Sequence, residues 1–131
     1  MFAERPAAEM FVTHLLGIRQ ELGFLLLAYS VMPDHVHLVI VPSDVRLPKI
    51  MQIIKGRFAR AYNKLHGQIG KLWQGRYYET VVRDEDALTR RIAYVEENPV
   101  VAGIVAEPNE YPFSSAAPGA RVDLAAYLEP G

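Results

Sequence analysis

The chain has 131 residues, half of them hydrophobic, with a formal net charge of -1 and no cysteine. That length supports one domain with a real core, and the absence of cysteine excludes disulfide scaffolds, thiolate zinc sites and cysteine nucleophiles. The net charge conceals a segregation: between Val45 and Tyr78 eight Lys or Arg occur with no Asp or Glu, and the other six of the fourteen basic residues share the flanks with all fifteen acidic ones. A middle block of that bias suits a phosphate-bearing partner; a solvated helix face is the plainer alternative. Apolar runs such as Phe24 to Val31 are too short to span a bilayer, and the start Met1-Phe2-Ala3-Glu4-Arg5-Pro6 lacks a signal-peptide plan. The sequence therefore reads as a soluble, cytoplasmic, single-domain protein with no membrane partner.

Taken in order, residues 6 to 22 predict a helix, with Pro6 in its first turn, Met10, Phe11, Leu15, Ile18 and Leu22 at helical spacing, and Gly23 ending it. Phe24 to Val31 suits a central strand. Pro33 and Asp34 make a tight turn into a second strand, His35 to Val41, so the two should pair as an antiparallel hairpin. From Leu47 a helix runs to about His66 with an apolar stripe of Leu47, Ile50, Met51, Ile54, Phe58, Ala61, Tyr62 and Leu65. At about 100° per residue, Arg46, Lys49, Arg57, Arg60 and Lys64 fall on a strip beside that stripe, so the helix can dock by one side and offer cations on another.

Lys71 to Val82 then reads as a strand in which Trp73, Tyr77 and Tyr78 lie near Arg76. Aromatic and basic residues so interleaved could grip unpaired bases, or Trp73 and one tyrosine could simply be core. The acidic Asp84-Glu85-Asp86 opens a last clear helix that should end near Glu97, ahead of Pro99. Its buried stripe is Leu88, Ile92 and Val95; Tyr94 sits off that stripe, with Asn98 one turn further along the same side. Pro108 to Ser115 reads as a loop, with Tyr111 packing it against the body, and the stretch from about 117 to 131 as a weakly ordered tail.

The segment Met32-Pro33-Asp34-His35-Val36-His37-Leu38-Val39-Ile40 carries two histidines one residue apart. Side chains alternate along a strand, so His35 and His37 share one face while Val36, Leu38 and Ile40 line the other. Two imidazoles about 7 Å apart can converge on one metal ion if another element supplies a third ligand. The pattern by itself also fits a half-exposed strand with incidental histidines.

The blocks AYSVMPDHVHLVI, IMQIIKGRFARAYNKLHG, LWQGRYYET, YVEENPVVAGIV and EYPFSSA, in this order, resemble the HUH single-strand transposases with one catalytic tyrosine, especially the REP-associated tyrosine transposases. The resemblance covers residues 24 to 116. It implies an α+β, ferredoxin-like antiparallel sheet with helices packed on one face, usually as a homodimer, and cleavage and rejoining of single-stranded DNA near hairpins. It also implies His35 and His37 as metal ligands, Asn98 as the polar third ligand and Tyr94 as nucleophile. Members usually open on a further strand before the first helix. Here that central strand is expected to be missing or supplied otherwise, leaving a gap of unpaired backbone.

A tyrosine hydroxyl ordinarily has a pKa near 10, so it needs help to attack at neutral pH. A divalent ion, magnesium or manganese, held by His35, His37 and Asn98 would supply that help, and attack by Tyr94 would form a 5′-phosphotyrosine link, freeing a 3′-hydroxyl, that needs no nucleotide cofactor to rejoin. Arg46, Lys49, Arg57, Arg60, Lys64, Arg76 and Trp73 are the candidate contacts to single-stranded or hairpin DNA. Two other readings follow from the same residues. One is a catalytically inactive or domesticated relative that binds hairpin DNA; the other is an RNA-binding module on a similar sheet.

Overall fold

Strand Leu25–Val31 reads LLLAYSV, an almost continuous apolar run, and a strand of that kind must be covered on both faces. The computed structural model, which describes residues 5–66, 76–81 and 85–128, covers it on both. The elements in chain order are α1 (Arg5–Leu22), β1 (Leu25–Val31), β2 (His35–Val41), α2 (Leu47–His66), β3 (Arg76–Val81), α3 (Glu85–Val101), a 3-10 turn at Pro108–Glu110, and the short α4 (Leu124–Leu128). The α+β class is as expected.

On one face, α1 and α2 share a core with Leu26, Tyr29, Val31, Val36, Leu38 and Ile40. Phe11 of α1 meets Phe58 of α2 edge to face at 5.3 Å between centroids. Each such fully buried large side chain contributes about 1.5–3 kcal/mol relative to exposure. On the opposite face Leu27, Ala28 and Val39 pack with Leu88 and Val95 of α3 and with Leu124 and Tyr127 of α4. The helices are thus divided between the two faces instead of gathered on one, because both strands are apolar on both sides.

The hairpin forms as expected, with Leu26 opposite Ile40, Ala28 opposite Val39 and Ser30 opposite His37. Leu27 is the extra residue of a bulge. It resets the alternation, so Tyr29 joins Leu26 on the α1–α2 face while Ala28 and Ser30 share the α3 face with His37.

β3 pairs with β2 in parallel, from His35 opposite Arg76 to Ile40 opposite Val81. The sheet order is β1-β2-β3, mixed and not wholly antiparallel. The second edge of β2, where a gap was expected, takes β3. A parallel pair needs a crossover of a dozen or more residues, and the helix α2 lies within it.

Two helix ends position the rest. Gly23, at φ +75°, donates its N–H to the Arg19 carbonyl and turns the chain into β1. Helix α3 continues four residues past Glu97, through a buried Pro99. It closes at Gly103, φ +77°, whose N–H meets the Val100 carbonyl while that of Ile104 meets Pro99. Proline removes one helical donor, but its φ is helical, and this C-terminal cap satisfies carbonyls that the expected earlier stop would have left open.

Beyond α3, residues 113 to 115 pair with the free edge of β1: Val31 N–H donates to the Phe113 carbonyl and Ser115 N–H to that of Tyr29. Tyr111 packs the loop as expected, its buried hydroxyl donating to the Val31 carbonyl at 2.5 Å, and burial pushes its pKa up to about 12. The stretch read as a weakly ordered tail is anchored in its described part. Asp123 accepts from the backbone N–H of Leu26 and holds Arg19 through two 2.7 Å bonds.

Candidate active site

The side-chain alternation of β2 puts His35 and His37 on the face that α3 covers, with their rings edge to face and centroids 4.9 Å apart. Because α3 continues through Pro99, Asn98 lies within the helix, one turn beyond Tyr94 on the same side. The result is one cluster. His35 Nε2 and Asn98 Oδ1 are 3.2 Å apart, and the Tyr94 ring stands against that of His37 at 5.5 Å between centroids. All four residues singled out in the sequence meet here. Tyr94 is 54% exposed, so its ring is anchored at one side and open to a substrate at the other.

The surroundings of the two histidines differ. Burial, and then the neighbouring His35, push the His37 pKa down to about 4, which keeps its imidazole neutral near pH 7 with a lone pair to offer. His35 Nδ1 lies 2.7 Å from Asp34 Oδ1. When the carboxylate accepts from Nδ1–H, the lone pair of His35 sits on Nε2 and faces Asn98. Carboxylate–imidazole pairing of this kind orients metal-binding histidines. Sequence reasoning missed Asp34; its place directly before the first histidine was the available signal.

The donor set fits a divalent cation. Bonds of about 2.1 Å at right angles put neighbouring donors about 3 Å apart, close to the separation of His35 Nε2 and Asn98 Oδ1. Two imidazoles with an amide oxygen lean from magnesium toward manganese. Among the described residues no group of three His, Cys, Asp or Glu is placed to hold a metal ion, and the oxygen that stands beside the two imidazoles is that of the Asn98 amide. Ser30, directly across from His37 and fully buried, keeps its hydroxyl without a hydrogen-bond partner among the described residues, a further polar atom beside the site.

The cations expected to hold DNA are placed less uniformly. Helix α2 belongs to the α1–α2 side of the sheet, so Lys49, Arg57, Arg60 and Lys64 stand on the other side from the His–Tyr–Asn cluster. Lys49, Gln52, Ile53, Gly56, Arg57 and Arg60 line a shallow groove of about 260 Å³ there. Arg57 is paired in bidentate fashion with Glu21 of α1. Arg46 is exposed just ahead of α2. Trp73 and the side chain of Arg76 lie outside the described residues, as does the Asp84 cap. Next to Tyr94, a second open groove of about 340 Å³ is lined by Ala87, Arg90 and Arg91, two cations that the sequence reading passed over.

The chain is similar to known proteins of one kind. A protein of Haemophilus influenzae assigned to the REP-associated tyrosine transposases is 29% identical over 99 residues, which cover 67% of this chain and 56% of that one. A REP-associated tyrosine transposase of Escherichia coli K12 is 24% identical over 103 residues, 77% of this chain and 59% of the relative. The chain thus spans somewhat more than half the length of these curated relatives. A solved structure of a REP-associated tyrosine transposase bound to a REP hairpin superposes with a TM-score of 0.67 at 26% identity, over 92% of this chain and 69% of that one. No helix among the described residues is long and apolar enough to cross a membrane. The family model described as "Transposase IS200 like" matches residues 2–98, a span that includes His35, His37, Tyr94 and Asn98, and the chain belongs to that family.

Proposed function

We propose that the protein cleaves and rejoins single-stranded DNA beside hairpins, with Tyr94 as the nucleophile. The observation that carries the reading is the convergence of Tyr94 and Asn98, from α3, on the two histidines of β2. The Tyr94 oxygen attacks the scissile phosphorus as the bond from phosphorus to the 3′ oxygen breaks. The phenolic proton passes, in net terms, to that 3′ oxygen. The products are a 5′-phosphotyrosine and a free 3′-hydroxyl. The exchange keeps one phosphodiester for another, and rejoining reverses it with a second 3′-hydroxyl.

His35, His37 and Asn98 would hold a divalent cation, magnesium or manganese, which when bound supplies polarisation of a phosphoryl oxygen and neutralises charge that grows during attack. Asp34 fixes the tautomer of His35, and His37 positions the Tyr94 ring. The hairpin partner is supported by the solved relative, which is bound to a REP hairpin. Arg46, Lys49, Arg60 and Lys64 offer contacts to its phosphates, which orient DNA without reading its sequence.

The test is covalent capture. Labelled single-stranded hairpin DNA from the flanks of the gene is incubated with protein and manganese or magnesium, then resolved on a denaturing gel beside Tyr94→Phe and a chelator control. A protein–DNA band lost in both controls supports the reading. Absence of the band while native-gel binding persists supports the second reading, a hairpin-binding protein without cleavage. That alternative is favoured by one observation: the groove containing Lys49 and Arg60 is on the other side of the sheet from Tyr94, so DNA could be held there without reaching it.

A further inference from the structure

The row of side chains that carries Tyr94 extends one turn beyond the site described above. Arg90, Tyr94 and Asn98 recur every four residues on α3, so they lie along one side of the helix about 6 Å apart in rise. Arg91 sits beside Arg90, and with Ala87 and Tyr94 the two arginines line the open groove of about 340 Å³. Both are exposed, and neither has an ion pair or hydrogen bond among the described residues. The turn before Tyr94 carries Arg90 and Arg91, and the turn after it Glu96 and Glu97, of which Glu96 accepts a 2.6 Å bond from Ser115.

We infer that Arg90 and Arg91 hold the single strand next to the scissile bond, gripping the phosphate that neighbours the one Tyr94 attacks. The inference rests on the proposed cleavage reading for its geometry but not for its test. A single strand lying in this groove passes from two free guanidiniums across the tyrosine to the His–Asn cluster, so its successive phosphates meet cations first and the reactive groups next. Guanidinium groups hold phosphate oxygens through paired N–H donors, a geometry that lysine ammonium reproduces only as a point charge. The two arginines act as positioning residues: they fix where the strand lies, and with it the angle of approach to Tyr94.

The test measures binding, so it reads out whether or not cleavage occurs. Fluorescence anisotropy follows two fluorescein-labelled hairpins, one with single-stranded extensions at both ends of the stem and one blunt, across a range of salt concentration. The proteins are wild type, Arg90→Gln/Arg91→Gln, Arg90→Lys/Arg91→Lys, and the exposed control Arg121→Gln. The double Gln variant is expected to bind the extended hairpin about tenfold more weakly. Its dependence of log affinity on log salt should be shallower by about 0.7, which is one single-strand phosphate contact. Affinity for the blunt hairpin should be unchanged, the Lys variant should recover most of the salt dependence, and the control should match wild type.

Equal losses on extended and blunt hairpins, or no loss on either, overturn the inference. So does failure of the wild-type protein to prefer the extended hairpin. If the selective loss is seen but the Tyr94 adduct never forms, the groove assignment stands and the cleavage reading is the one that fails.

Discussion

The rings of Tyr94 and His37 meet edge to face, 5.5 Å between centroids with planes at 88°, although the residues come from different elements and are separated by the whole of α2 and β3. The contact leaves more than half of Tyr94 exposed. Tyr94→Phe should therefore change stability by less than about 0.5 kcal/mol and leave hairpin binding intact. It should cut covalent adduct formation at least about 10³-fold. Thermal melting, native-gel binding and the denaturing gel separate these effects, and an adduct that survives in Tyr94→Phe would move the nucleophile elsewhere.

Asp34 touches His35 from the side away from Asn98, so its effect on the site passes through the imidazole. Asp34→Ala should weaken manganese binding about 10–100-fold with little change in fold, as loss of an orienting carboxylate does. Isothermal titration calorimetry checks this. Unchanged affinity would mean that His35 needs no such partner.

Glu21 neutralises Arg57, the central cation of the α2 groove. The pair holds the Glu21 carboxyl below the ordinary carboxylate range and raises the Arg57 guanidinium, both through their shared hydrogen bonds. Glu21→Gln should release that guanidinium for phosphate, raising hairpin affinity at low salt and steepening the salt dependence by up to about 0.9 if it meets a duplex phosphate. Weaker binding by the Gln variant in anisotropy would show that the pair organises the groove instead of masking it.

The Arg19–Asp123 pair ties the C-terminal stretch to α1 and β1. Hydrogen bonding to Arg19 pulls the Asp123 pKa below its ordinary 3.8 against the opposing effect of burial. As pH falls through 3.8 the unfolded chain takes up its proton first. Stability from this group is thus complete above that value and is lost as pH drops through the lower folded value. Asp123→Asn should cost about 1–3 kcal/mol at neutral pH. The melting temperatures of wild type and variant should begin to converge as pH drops below 3.8 and meet only below the lowered folded value, and a gap that stays constant into acid would contradict the assignment.

The helix spans of α1 and α2, the β1–β2 hairpin and the sharing of one strand face by His35 and His37 were legible in the chain, because each depends on periodicity and turn chemistry within a few residues. The candidate residues Tyr94 and Asn98 were legible through family resemblance, and the geometry of a helix relates them locally. Asp34 lay in plain view beside His35, and that adjacency was its one signal, but which ring atom an exposed carboxylate in a turn touches is settled only when the ring is placed.

Tertiary structure decided what no local pattern encodes. It divided the helices between two faces, because the bulge at Leu27 and the two-sided burial of β1 and β2 require cover on both. It set β3 parallel to β2, carried α3 through Pro99 to the cap at Gly103, and anchored Asp123 where composition suggested a loose tail. It also separated the α2 cations from the catalytic candidates and left Arg90 and Arg91 beside them. Spacing along a chain determines which residues share an element's face. Which faces meet depends on long-range packing, and that packing is what turns two histidines, a tyrosine and an amide into one site.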